Sequence, residues 1–270
     1  MTKFVYGGLA LALFACSEQK TAAQEVRTTV PVEHINATKD QQIRRAQSEA
    51  VCKGHGVPIY HNPNSLFVDS EALTRLRTKD QVANRALALC FIGLKSEGLS
   101  PERLAEIDQT YHITAKLTPV ERAYVMAAHP TDQQRLNANW RYESLHVLLW
   151  ALGYVDALDY PAKMCDVAHD AAIIHALSES QFRQRAALRS KKELLDQADL
   201  ILRLDWACYD ARQGNKPMPG DLNWEVVLER HHALNWLITY MDQAWDDVST
   251  DTWAPVFVHS SAEKAGIAFS

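Results

Sequence analysis

The chain has 270 residues, 47% of them hydrophobic and 23% charged, with a formal net charge of −5. That balance is ordinary for a folded protein and argues against general nucleic-acid binding, which calls for a basic patch or stripe. The length allows one large core or two small ones.

The first element is not part of the fold. Met1-Thr2-Lys3 precedes FVYGGLALALFA, residues 4–15, an uncharged apolar run that stops at Cys16. A run of about 12 residues is too short to cross a bilayer as a helix, which takes roughly 20, and suits the apolar region of a secretory signal. Leu13-Phe14-Ala15-Cys16 resembles the bacterial lipobox, in which cleavage precedes a cysteine that carries a diacylglycerol thioether and usually a third acyl chain. Phe14 is bulkier than the pattern prefers, and Lys3 is a thin positive region; ordinary secretion and an uncleaved anchor are the alternatives. The expectation is a lipoprotein signal peptide over residues 1–15, with Cys16 as the site of lipid (palmitate-type) attachment. Two or three acyl chains hold a protein on a membrane where one holds it marginally. Ser17, rather than Asp, follows the cysteine, and by resemblance to sorting rules this points to the outer membrane, facing the periplasm. Loss of Lys3 with the signal leaves 27 basic and 33 acidic side chains, a net charge of about −6.

Residues 16–40 are polar, without sustained apolar periodicity, and read as a lipidated tether. From residue 41 to 252 the signals are helical, and residues 253–270 read as a C-terminal tail. Thr78 precedes KDQVANRALALCFIGLKSE, which closes at Gly98. Ser100-Pro101 sets an N-cap before a proline at the first helical position. Thr118-Pro119-Val120-Glu121 and Ser190-Lys191-Lys192-Glu193 are capping boxes, the second opening a helix to Arg212. Helices over Thr131 to Gly153 and Asn223 to about Asp242 complete a single, mainly α domain, with VPIY near Val57 and APVFV near Val256 as the only strand-like stretches. All seven tryptophans fall between Trp140 and Trp253, which places the heart of the core in the C-terminal half. Cys52, Cys90, Cys165 and Cys208 permit three disulfide pairings in an oxidising compartment, although buried free thiols are the simpler reading.

Some charged residues lie where apolar ones belong. On a helix, Leu194, Ala198, Ile201, Leu202, Cys208 and Tyr209 share a face, with Asp205 near its middle. In the last helix His231 falls in the stripe of Val227, Leu234, Ile238, Met241 and Trp245; Arg230 flanks it, Asn235 is one turn on, and Glu229 and His232 point the other way. Glu143 sits with Trp140, Val147 and Trp150. An unpaired buried charge costs several kcal/mol, so these groups need partners. Two readings follow: a buried polar network of Glu143, Asp205, Arg230, His231 and Asn235, with Arg230 and His231 paired inward against Asp205 or Glu143, for example Asp205 with Arg230, or a site in which Glu143, Asp205 and His231 do acid–base work or act as ligands.

Other candidates carry less. Asp242, Asp246, Asp247 and Asp251 lack the spacing of a calcium loop, and His169 and His175 lack the i, i+4 spacing of a zinc helix. His55 and His61 flank a loop, and Arg183, Arg185, Arg189, Lys191 and Lys192 suit a solvated face or an anionic surface. No GxSxG, P-loop or GxGxxG occurs, which removes the usual support for a nucleophile-elbow hydrolase, a P-loop nucleotide enzyme and a Rossmann dehydrogenase; no metal and no cofactor is expected.

LRLDWACYDAR, VVLERHHALNWL and DQAWDDVSTDT, preceded in order by RRAQSEAVCKGHGVPI, NRALAL, LTPVE and WRYESLHVLLWALG, resemble the bacterial family catalogued as domain of unknown function 4272. The resemblance spans about Ile43 to Thr252 and implies one mainly helical domain, with no reaction and no catalytic residues attached to it. It also suggests that the four interior cysteines are inherited core residues. Two functions remain: a membrane-anchored binding or protein-interaction module of the envelope, or a hydrolase with its carboxylates and His231 in a tryptophan-lined cleft. A dry, paired network favours the first and an open pocket around those groups the second.

Overall fold

A computed structural model describes residues 37–61 and 66–252. The signal segment, Cys16, most of the tether, APVFV and the tail lie outside these residues. Nine α-helices occur among the described residues, and no strand. They are α1 (Lys39–Gly54), α2 (Lys79–Ser96), α3 (Pro101–Tyr111), α4 (Pro119–Met126), α5 (Asp132–Ala151), α6 (Val167–His175), α7 (Glu179–Arg185), α8 (Lys191–Gln213) and α9 (Trp224–Leu237). The VPIY stretch is irregular chain.

Local chemistry starts most of these helices. The Thr78, Thr118, Thr131, Ser178 and Ser190 hydroxyls each accept from the backbone N–H three residues on, and the Gln or Glu at that position reaches back. Thr38 forms the same box for α1, so the first helix starts at Lys39. Gly98 takes a positive φ of 84° just beyond α2, where a side chain would be strained.

The helices form a row in which α2 packs on α5, α5 on α9, α9 on α8 and α8 on α1, with the α2–α5 contact the most extensive. α2 is buried from Val82 to Gly93 at every position but Asn84. The core joins α2 to the tryptophan-rich C-terminal half: Ala83, Ala86 and Gly93 let α2 approach α5 closely, Trp150, Trp236 and Trp245 are buried in it, and Trp140, Trp206 and Trp224 sit half-buried at the margins. On α8 the apolar stripe is buried from Leu194 to Cys208, but Tyr209 is exposed.

α9 stops at Leu237, short of the Asp242 expected from periodicity. Arg77, in the loop before α2, supplies the stop: its backbone N–H donates to the Leu237 carbonyl at 2.9 Å and its Nε to the Trp236 carbonyl at 3.1 Å. A cation there also suits the negative end of the helix. Thr239, Met241 and Asp242 then turn through positive φ, which leaves Met241 exposed and sets Trp245 in a separate short turn rather than on the α9 stripe.

Candidate functional site

The misplaced charges resolve into separate pairs. α5 carries Glu143 and α9 carries Arg230, whose Nε donates to Glu143 Oε2 at 2.9 Å and whose Nη1 donates to the Asp159 carbonyl at 2.5 Å. The other Glu143 oxygen accepts from the Cys165 backbone N–H. One residue further along α9, His231 Nδ1 stands 2.7 Å from Asp205 Oδ2 on α8. Of the two carboxylates that the sequence offered to Arg230 and His231, Arg230 takes Glu143 and His231 takes Asp205, so the example pairing of Asp205 with Arg230 does not occur. Facing direction was readable from the helical period, but height along the neighbouring helix was not. Asn235 joins neither pair; its Nδ2 donates to the Ser249 carbonyl at 2.9 Å and ties the C-terminal turns to α9.

All five of these side chains are buried, Glu143 completely. His231 and Asn235 border a hollow of only about 20 Å³, room for a single water molecule. Arg230 reaches the edge of a hollow of about 190 Å³ that also meets His55 and Tyr160, whose rings stack at 3.8 Å. An ion pair holding two helices together accounts for this arrangement without a substrate.

The opposite side of α9 is polar and covered as well. Glu229 accepts from Arg141 Nη1 at 3.1 Å and from the Ser144 hydroxyl at 2.8 Å, both on α5. His232 Nε2 lies 3.0 Å from the Trp245 carbonyl, with the two rings edge to face. Burial, then the nearby Arg141 charge, pushes the His232 pKa down to about 3, so its ring is neutral.

Beyond Arg141 the molecule opens into a cleft of about 360 Å³ between α4, α5 and the Trp245 turn, with Glu121, Tyr124, Asn137, Arg141, Trp245 and Asp246 on its walls. Glu121 is the third residue of its capping box, so Oε2 accepts from the Thr118 N–H at 2.9 Å; the same oxygen accepts from Arg85 Nη2 at 2.6 Å. Arg85 in turn lies 5.2 Å over the Trp245 ring. Glu121 Oε1 and the Tyr124 hydroxyl, both on residues 8% exposed, have no hydrogen-bond partner among the described residues. Burial raises the Tyr124 pKa, so the phenol stays protonated. An acceptor and a hydroxyl of this kind on the wall of one cleft are unusual, because buried polar groups are nearly always satisfied.

The remaining sequence candidates lie elsewhere. Asp242 pairs at the surface with Arg75, Asp246 accepts from the Val120 N–H, and Asp251 is tied to Ser249, so the acidic positions do not gather. His61 and His169 are exposed, and His175 borders an apolar groove of about 340 Å³ between α2, α3 and α6. The basic stretch is not a free cationic face: Arg189 donates to the Trp150, Val155 and Asp156 carbonyls, Lys191 to those of Glu71 and Thr74, and Arg183 to Asn84 and Glu179. Cys52, Cys90, Cys165 and Cys208 are free thiols.

The cleft at Glu121 and Tyr124 was missed by sequence reasoning. LTPVE announced a helix start, and nothing local showed that its glutamate also meets Arg85, 36 residues earlier. No curated protein and no solved structure matches the chain. A family model described as a domain of unknown function, DUF4272, matches residues 44–248, most of the helical domain. The chain belongs to that family.

Proposed function

We propose that the protein is a lipid-anchored binding module of the cell envelope, held at Cys16 and tethered by the residues that follow, with the Glu121–Tyr124 cleft as the seat of a protein partner. The observation that carries this reading is the pair of buried, unpartnered atoms on the cleft wall, Glu121 Oε1 and the Tyr124 hydroxyl. A partner that donates to the carboxylate oxygen and bonds the phenol, through an amide or a basic side chain, satisfies both, with the Trp245 ring supplying apolar contact. The hydrolase alternative has less support, because Glu143, Asp205 and His231 are engaged with Arg230 or with each other and border little space.

The test is a photo-crosslinking residue placed at Asn137, on the exposed rim of the cleft, in cells carrying the full chain. A discrete protein adduct is expected from this position and not from exposed Leu73, which does not border the cleft. Tyr124→Phe removes a hydroxyl that has no hydrogen-bond partner among the described residues. It should leave the melting temperature unchanged while cutting the adduct about tenfold, the worth of one net hydrogen bond of about 1–1.5 kcal/mol. Equal adducts from Asn137 and Leu73, or an adduct indifferent to Tyr124→Phe, would remove the cleft from the account.

A further inference from the structure

We propose that His146, Cys165 and Asp170 form a binding site for a thiophilic divalent cation of the zinc class. The site is separate from the Glu121 cleft and does not depend on the binding reading. His146 comes from α5, Cys165 from the loop before α6, and Asp170 from the first turn of α6. One ligand-type atom from each lies within 4.8 Å of the other two. Imidazole nitrogen, thiolate sulfur and carboxylate oxygen are all ligands zinc accepts, at bond lengths of about 2.0–2.3 Å. Tetrahedral bonds of that length set ligand atoms about 3.5 Å apart, so none of the separations has to close by more than roughly an ångström.

Asp170 is the second observation. It is completely buried, and its Oδ2 lies 2.8 Å from His146 Nδ1, while Oδ1 has no partner among the described residues. A buried carboxylate with an unmatched oxygen is costly, and a cation at the same place removes the cost. Cys165 is held in place by its backbone N–H on Glu143, and its thiol faces Glu143 and lies 3.6 Å from the Tyr142 carbonyl, a weak contact. Glu143 is already neutralised by Arg230, so a Cys165 thiolate and the Asp170 carboxylate leave two negative charges for one divalent cation, with the imidazole neutral. On binding, the thiol proton is released to solvent and a metal–sulfur bond replaces the S–H bond. His146 and Cys165 are each partly exposed, which gives the ion an approach and leaves room for a water as fourth ligand.

The experiment titrates chelator-treated full-length protein in detergent with cobalt(II), the spectroscopic stand-in for zinc. The expected result is thiolate-to-cobalt charge-transfer absorption with the d–d bands of a tetrahedral site, saturating at one equivalent and bleached by zinc. Cys165→Ser should abolish the charge-transfer band, Asp170→Asn should weaken binding about tenfold to a hundredfold, and Cys208→Ser should change neither. Should Cys165→Ser fail to fold, the native chain still answers: zinc has to slow alkylation of Cys165 while leaving the denatured protein's rate unaltered. Absence of the band, its survival in a folded Cys165→Ser protein, or alkylation of Cys165 at the same rate with and without zinc would overturn the assignment.

Discussion

Arg230→Met is expected to cost about 3–5 kcal/mol of folding stability, the loss seen when one partner of a buried ion pair is removed and the other stays. Glu143 is completely buried, and without the guanidinium its carboxylate keeps only the Cys165 N–H. Methionine fills much of the vacated volume, so the loss reports the stranded charge rather than a cavity. Adding Glu143→Gln should restore at least about 2 kcal/mol, since the amide oxygen still accepts from Cys165 and carries no charge. Chemical denaturation of the single and double variants measures both. A folded Arg230→Met protein with an unchanged midpoint would mean that solvent reaches Glu143, and the hollow beside Arg230 would become the better candidate for a site.

Gly93→Ala should be the next most damaging change, at about 3 kcal/mol, the upper end of the overpacking range. A Cβ on Gly93 would stand 2.6 and 2.7 Å from Cε2 and Cε1 of Tyr142, and closer still to Cζ. The ring is fully buried at the α2–α5 contact and cannot swing out to solvent. Alanine is the better helix former by about 1 kcal/mol, so a purely local view gives the opposite sign. Thermal unfolding decides between them, and pairing Gly93→Ala with Tyr142→Leu should recover much of the loss.

These two positions also mark how far the sequence could be read. The helical class and most helix starts were legible because a capping box is local: Thr78, Thr118, Thr131 and Ser190 each act on a residue three positions away. That Asp205, His231, Glu143 and Arg230 turn inward was legible too, since the helical period fixes a face. Their partners were not, because pairing depends on how far neighbouring helices are shifted along one another. The end of α9 was hidden for a similar reason, being set by Arg77 from far upstream. Small residues gave no warning that α2 is central, because tryptophan dominates any reading by size. The pairing of His146 with Asp170 was not legible, because it joins residues 24 apart on two different helices.

The proposed binding role places the Glu121–Tyr124 cleft at a membrane surface. Mass spectrometry of the N-terminal peptide from the protein's native host tests that most directly. The proposal predicts a mature chain that begins at Cys16 and carries a diacylglyceryl thioether, with the thioether lost and the protein released from membranes in Cys16→Ser. A chain that still begins at Met1, or one cleaved elsewhere with an unmodified Cys16, would contradict it.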